Sequence, residues 1–167
     1  DEVIGLRGDG EGSLREFGIG YEQVDLKEDG SIDLEATAQA LNEDIGLILI
    51  QRSGGYGNRA AFSISQIEEA CTYVKKIAPD VPIMVDNCYG EFVDYREPTE
   101  VGADIMAGSL IKNPGGGIAP TGGYVAGKKK YVELAANRLT TPGLGSHVGP
   151  SLGNNRLLFQ GLFFAPH

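Results

Sequence analysis

The 167-residue sequence has no tryptophan and only two cysteines and two histidines. Two thiols, Cys71 and Cys88, are too few for the disulfide scaffold of a small secreted protein, so we expect free cysteines in a reducing cytoplasm. His147 and His167 lie far apart, and no spacing of histidine, cysteine and acidic residues is typical of a zinc site. The sequence therefore predicts a cytoplasmic protein without a metal site.

Positive charge and long apolar segments are also scarce. Lysine and arginine number 14 against 23 acidic residues, for a formal net charge of −9, which argues against a nucleic-acid-binding surface. The one dense basic run, Lys128 to Lys130, fits the solvated start of a helix. No apolar run approaches the roughly 20 residues of a membrane helix. We expect neither a nucleic-acid partner nor membrane insertion.

Apolar residues alternate between strand-like runs and helical spacing along the chain, which predicts an α/β fold with a largely parallel sheet and flanking helices. The expected strands cover residues 18–24, 45–50, 81–85, 104–107 and 123–126, and the run at 45–50 reads as a strand buried on both faces. The expected helices comprise a helix end in residues 1–8, then 33–42 capped by Asp33, 65–78 opened by a capping box at Ser65, 127–138 and 151–164.

The 25 glycines are clustered rather than evenly spread. Polar, glycine-rich segments follow three of the expected strands, at residues 51–58, 86–90 and 109–117. In parallel sheets, ligands bind beyond the carboxyl ends of the strands. The sequence therefore predicts a ligand site at this edge of the sheet.

Two residues at that edge could carry chemistry. Asp86 ends an apolar strand, where its charge is costly unless a cation such as a protonated pyridinium lies nearby. Lys112 follows another strand, and in a pocket its amine could form an imine with an aldehyde. Alone, Asp86 also fits a turn or helix cap, and Lys112 an exposed loop lysine. Together they form an Asp-Asn strand end followed, 26 residues later (112 − 86), by Ser109-x-x-Lys112.

This pattern resembles the pyridoxal 5'-phosphate (PLP) enzymes of fold type I in the Cys/Met-metabolism group. The segments that carry the resemblance are Val85 to Cys88, Gly102 to Ile105, Ser109 to Lys112 and Gly115 to Gly117. Within the group, the sequence is most similar to the aluminium-resistance, or cystathionine-lyase-like (methionine gamma-lyase-like), proteins. That similarity is clearest in Gln51 to Ser53, Val85 to Phe92 and Gln160 to Phe163.

The resemblance implies a role for six residues. Lys112 would be the Schiff-base lysine and Asp86 the partner of the ring nitrogen. The remaining implied contacts are Ser109 to the phosphate, Asn87 and Tyr56 to the cofactor, and Arg52 to the substrate. Two departures stand out: Ile111 occupies the place of the usual threonine before the lysine, and residues 51–56 replace the usual Glu-Ser-Pro-x-Asn-Pro loop.

The resemblance also implies a PLP-dependent C–S lyase that acts on a sulfur-containing amino acid by β- or γ-elimination. Residues 1–167 would be the central part of its PLP-binding large domain, with an N-terminal segment and a small C-terminal domain outside them. The full-length protein is expected to be a homodimer or homotetramer. An aminotransferase or aldolase would use the same Asp86 and Lys112, and a catalytically silent fragment or binding module is the alternative from another class.

Gly122 to Lys128 has the spacing of a P-loop, but Lys129 stands where such a loop has Ser or Thr. The sequence therefore does not predict nucleotide binding.

Overall fold

A four-stranded sheet is the centre of the fold. The computed structural model describes residues 4–5, 11–139, 141–149 and 151–165. The strands are β1 (Ile48–Gln51), β2 (Ile83–Asp86), β3 (Ile105–Ser109) and β4 (Gly123–Gly127). They lie in the order β1-β2-β3-β4, with β1, β2 and β3 parallel and β4 antiparallel to β3. The α/β class with a largely parallel sheet is confirmed.

Four α-helices accompany the sheet within the described ranges. They are α1 (Leu34–Ala40), α2 (Ile64–Ile77), α3 (Lys129–Leu139) and α4 (Asn155–Phe164). Short 3-10 turns lie at Leu14–Phe17, Pro98–Glu100, Asn113–Gly115 and Gly145–His147. Asp33 caps α1 as expected, because its Oδ1 accepts a hydrogen bond from the backbone N–H of Ala36 at 3.0 Å.

The N-cap of helix α2 lies two residues earlier than the sequence predicted, at Ser63 instead of Ser65. Its capping box is Ser63 with Gln66: the Ser63 hydroxyl accepts from the Gln66 N–H at 3.3 Å, and Gln66 Oε1 accepts from the Ser63 N–H at 2.9 Å. The box predicted at Ser65 is therefore wrong. Both serines start a Ser-x-x-Gln/Glu pattern. A helix that begins after Ser63 places the side chain of Ile64 in the core, where it is 5% exposed.

The core lies between α2 and one face of the sheet. Ile67, Cys71 and Val74, at helical spacing, are buried against Ile83 and Val85 of β2. The expected apolar face of this helix is confirmed. Because α2 follows β1 and precedes β2, it is the crossover that makes the two strands parallel.

Two expected strands differ in the structure. Residues 18–24 form no strand, since Ile19 and Tyr21 are exposed and none of the described strands pairs with them. Strand β1 is not buried on both faces: Ile48 and Ile50 pack against the core, whereas Leu49 is 59% exposed. Alternation on one covered face explains this pattern.

The helix end expected in residues 1–8 falls largely outside the described residues, of which only Ile4 and Gly5 belong to it and form a turn. His167 also lies outside them.

The pairing of the strands brings the carboxyl ends of β1, β2 and β3 to one edge, together with the amino end of β4. Gln51 is opposite Asp86, Asp86 is opposite Ala107, and Ser109 is opposite Gly123. The ladder continues past the strands, because the backbone N–H of Arg52 donates to the carbonyl of Asp86 at 2.9 Å. The expected ligand edge therefore exists as one continuous rim.

The opposite edge is fixed by Asp104, just before β3. Its carboxylate accepts from the Ile83 N–H at 2.8 Å and pairs with Lys75 at 2.7 Å and Lys128 at 2.5 Å. Burial would raise the pKa of Asp104, but these donors outweigh it and lower the pKa to about 2. Lys128, read from the sequence as part of a merely solvated run, is thus an anchor of the sheet.

Candidate active site

Asp86 and Lys112 meet at the carboxyl edge of the sheet. Asp86 is the last residue of β2, and its Oδ1 accepts from the N–H of Cys88 at 3.0 Å. Lys112 is half-buried in the turn between β3 and the 3-10 helix at Asn113–Gly115. Both side chains lie close enough to Cys88 to shift the pKa of its thiol. Two residues far apart in sequence therefore share one small polar cluster.

The charges of this cluster support one another. Burial lowers the pKa of Lys112, but Cys88, Tyr89 and Asp86 outweigh burial, so the pKa lies above its ordinary value. Burial, followed by the hydrogen bond with Asp86, raises the pKa of the Cys88 thiol. The surroundings thus favour the ammonium form of Lys112 and the neutral thiol of Cys88.

Ser109 lies on the same rim as the last residue of β3. Its hydroxyl accepts from the N–H of Ile111 at 3.4 Å, and the side chain is half-buried. Beyond Lys112 the chain turns through Gly116 and Gly117, both with positive φ. A hydroxyl and a glycine turn next to the lysine are the kinds of groups that bind a phosphate.

Arg52 and Asn87 lie beneath the rim rather than on it. Arg52 is 3% exposed and Asn87 is completely buried. Arg52 Nη1 donates to Asn87 Oδ1 and to the carbonyl of Gly90, both at 2.9 Å. Asn87 Nδ2 donates to Glu97 Oε2 at 2.8 Å. These bonds favour a positioning role for both side chains, and their roles toward substrate and cofactor stay predictions.

Tyr56 is separate from the cluster. It belongs to the loop after β1, and its side chain is fully exposed, so it is not packed against Asp86 or Lys112. The contact with cofactor that the resemblance implies for Tyr56 stays a prediction.

Sequence reasoning missed three neighbours of the site. Tyr89 places its ring centroid 4.4 Å from Lys112 Nζ. The Tyr124 hydroxyl donates to Glu91 Oε1 at 2.9 Å. Glu91 is 5% exposed, and its Oε2 is the one buried side-chain oxygen or nitrogen without a hydrogen-bond partner in the described structure. Burial is the largest cause of a raised pKa at both Glu91 and Tyr124.

A glycine within β3 was the available signal for this network. A Cβ on Gly108 would overlap Glu91 Oε1 and approach the Tyr124 ring to 2.5 Å. Glycine inside a strand often marks such a close approach. Gly108 therefore indicates that other side chains cross the strand just below Ser109.

A cavity of about 250 Å³ adjoins the cluster, with Cys88, Tyr89, Arg52, Phe62 and Val93 among its lining residues. A larger one of about 430 Å³ lies between the turn at residues 28–30 and residues 58–62, and contains none of the candidate residues. The smaller cavity lies at the carboxyl ends of the strands, next to Cys88 and Tyr89, which favours it as part of the ligand site, although Asp86 and Lys112 do not line it.

The described ranges contain no cluster of three or more His, Cys, Asp or Glu side chains placed to hold a metal ion. No helix within them is long and apolar enough to span a bilayer.

The fold is the α/β fold of the large domain of type I PLP-dependent enzymes. Within that class, the chain belongs to the methionine gamma-lyase family, whose profile matches residues 1–167. YnbB of Bacillus subtilis is 53% identical over 168 residues, which cover 100% of this chain and 40% of YnbB. The chain thus spans well under half the length of this relative.

Two solved structures show the same similarity in three dimensions. A candidate cystathionine beta-lyase involved in aluminium resistance from Listeria monocytogenes has 54% identity and a TM-score of 0.95, over 99% of this chain and 41% of that one. A carbon-sulfur lyase involved in aluminium resistance from Clostridium novyi has 53% identity and a TM-score of 0.92, over 99% and 40%. The family and fold expected from the sequence are confirmed, and these two solved structures are named as lyases.

Proposed function

We propose that this chain carries the lysine and aspartate of a PLP site in a C–S lyase that acts on a sulfur-containing amino acid. The observation that carries the proposal is the Asp86–Cys88–Lys112 cluster at the carboxyl edge of the parallel sheet. A cavity lies next to Cys88 and Tyr89, the two residues that follow Asp86-Asn87 on this edge.

The residues present fit the chemical groups of PLP. Lys112 offers an amine for the aldehyde, Asp86 a carboxylate for the ring nitrogen, and Ser109 a hydroxyl for the phosphate. All three lie at or just beyond the ends of adjacent strands. PLP, when bound, supplies an electron sink for charge that develops at the substrate Cα. The fit rests on the types of donor groups and on their shared edge.

Asp86 would hold a proton on the ring nitrogen. A carboxylate that ends a buried strand is poorly solvated, so a cationic partner favours its charged form. The carboxylate is held in place from behind, because the N–H of Cys88 binds its Oδ1. Asp86 is therefore oriented before any ligand arrives.

Lys112 would have two tasks. It would hold the cofactor through its Nζ, and once the amino group of a substrate had displaced it, the free amine could take the proton from Cα. Asp86 and Tyr89 would then stabilise the ammonium group that forms. Departure of the thiol from the β- or γ-carbon completes an elimination.

The choice of lyase is supported by the names of the relatives. The Clostridium novyi protein is named as a carbon-sulfur lyase and the family as methionine gamma-lyase. Asp86 and Lys112 would serve an aminotransferase or an aldolase equally, so reaction type has to be measured. β- and γ-elimination differ in the keto acid that they release.

The test is a product assay on the purified full-length protein with PLP and a panel of sulfur-containing amino acids. Thiol, ammonia and a keto acid in equal amounts are expected. A new amino acid formed from an added keto acid would indicate transamination. Release of glycine and an aldehyde from a β-hydroxy amino acid, assayed in parallel, would indicate an aldolase. Absence of every product would favour the silent binding module, and size measurement in the same preparation tests the proposed homodimer or homotetramer.

A further inference from the structure

The loop from Asn87 to Phe92 has an unusual backbone. Tyr89 (φ 68°) and Phe92 (φ 63°) are the two non-glycine residues with left-handed φ among the described residues. Bulky L-residues avoid this region, and such strain persists only where surrounding contacts impose it. Strained residues of this kind concentrate at functional sites, so the contacts that impose the strain are informative.

Buried hydrogen bonds hold the base of this loop. Arg52 binds both Asn87 Oδ1 and the carbonyl of Gly90 at 2.9 Å. A Cβ on Gly90 would approach Asn87 Oδ1 to 2.5 Å and Arg52 Cδ to 2.6 Å, so the loop lies tight against the guanidinium. The Phe92 N–H donates to Glu97 Oε1 at 3.1 Å. The backbone on both sides of Tyr89 is therefore fixed.

Two further hydrogen bonds join this loop to the turn that carries Lys112. Asn113, the residue after Lys112, donates from Nδ2 to the carbonyls of Tyr89 at 3.1 Å and Glu91 at 3.2 Å. The turn that carries Lys112 and the loop that carries Tyr89 are thus bonded to each other.

The result is a defined contact between ring and amine. Lys112 Nζ lies 4.4 Å from the centroid of the Tyr89 ring, well within the distance at which an ammonium group is attracted to an aromatic face. The Tyr89 side chain is 56% exposed, so packing does not place the ring. Its position follows from the strained backbone, which the surrounding hydrogen bonds maintain.

We propose that Tyr89 is a residue of the active site whose ring face binds the ammonium form of Lys112. The role in catalysis rests on the proposed function: when Lys112 takes the proton from the substrate Cα, the electron pair stays on carbon and Nζ becomes an ammonium group. The Tyr89 ring holds that group beside the substrate carbon. Cys88 and Asp86 also face Nζ and favour its charge, whereas burial opposes it.

The test is the pH dependence of acylation at Lys112, read by peptide mass spectrometry on the full-length protein before PLP is added. Tyr89→Phe keeps the ring face and should leave the labelling curve unchanged. Tyr89→Leu removes it, so the neutral amine becomes more abundant and labelling near pH 8 should rise about two- to five-fold. Tyr95→Leu, at an exposed tyrosine, is the matched control, and Lys128 is the internal reference.

If Tyr89→Leu labels Lys112 like the wild type, or if Tyr89→Phe changes the curve as much as Tyr89→Leu, the proposal is overturned. Should Tyr89→Leu fail to fold, pentafluorophenylalanine at position 89 keeps the shape of the ring but reverses its electrostatic face, and the same rise in labelling is expected. Because the labelling precedes addition of PLP, its failure is distinguishable from failure of the proposed function, which reduction of the PLP-loaded protein tests separately.

Discussion

Asp86 and Asp104 lie at opposite ends of neighbouring strands, and each has lysine beside it. Asp104, at the start of β3, is 2% exposed in its side chain and has Lys75, Lys128 and the Ile83 N–H as partners. Asp86, at the end of β2, is half-buried, and its carboxylate accepts from the N–H of Cys88. The first carboxylate is saturated by the protein, whereas the second lies at the edge where parallel sheets bind ligands.

The comparison teaches that an acidic residue next to a lysine is informative only together with its place in the fold. In parallel sheets, the carboxyl edge binds ligands and the other edge contributes stability. We therefore expect substitutions at the Asp86 edge to change activity, and those at the Asp104 edge to change stability.

Exchange of the lysines should have the largest effect. Lys112→Ala removes both the cofactor anchor and the base, so we expect elimination activity to fall by about 10²–10⁴-fold or more. Lys128→Ala, the matched control at the other edge, should keep activity within a few-fold. Steady-state elimination rates of the two full-length variants provide the measurement. An equal loss of activity in Lys112→Ala and Lys128→Ala would contradict the different roles of the two edges.

Exchange of the aspartates should separate activity from stability. Asp104→Asn leaves two lysines without their carboxylate and should lower the free energy of unfolding by about 2 kcal/mol. Asp86→Asn should leave stability within about 1 kcal/mol but reduce activity by about 10²-fold or more. Urea unfolding and activity assays on the two variants provide the measurement. A stability loss confined to Asp86→Asn would contradict the assignment.

Acid should remove the contribution of Asp104. Its pKa of about 2 lies below the ordinary 3.8, so its stabilisation is complete above pH 4 to 5 and is lost as pH falls toward 2. The difference in free energy of unfolding between wild type and Asp104→Asn should therefore shrink from about 2 kcal/mol at neutral pH to nearly zero near pH 2. Urea unfolding across this range tests it, and a difference that stays constant with pH would contradict it.

The buried network beneath the Asp86 edge should behave structurally. Tyr124→Phe removes the hydrogen bond to Glu91 Oε1, and this change should cost about 1 kcal/mol of stability. Tyr95→Phe, at a fully exposed tyrosine, is the control and should cost nothing measurable. If the two variants melt at the same temperature, the network does not stabilise the loop after β2.

Local pattern was enough to predict much of this molecule. The apolar run before Asp86 and the spacing of Ile67, Cys71 and Val74 each depend on neighbours along the chain, and both were confirmed. The strand predicted at residues 18–24 was wrong, because strand propensity alone does not provide a neighbouring strand with which to pair. The periodicity of apolar residues therefore identified strand β2 and helix α2, but it did not show that residues 18–24 lie outside the sheet.

The contacts of the site could not be predicted in the same way. Glu91 and Tyr124 are separated by 33 positions and Asn87 and Arg52 by 35, and strand order and register bring them together. No spacing rule along the sequence contains that information. The role of Lys128 was missed for the same reason, because its partner Asp104 lies on another strand.

The central claim is that Lys112, and not another lysine, holds PLP. The most direct measurement is borohydride reduction of the full-length protein loaded with PLP, followed by peptide mapping of the adduct. The account predicts one reduced pyridoxyl group on Lys112, with Lys75 and Lys128 unmodified and the visible absorption band lost on reduction. An adduct on a different lysine, or no adduct on a folded and loaded protein, would contradict it.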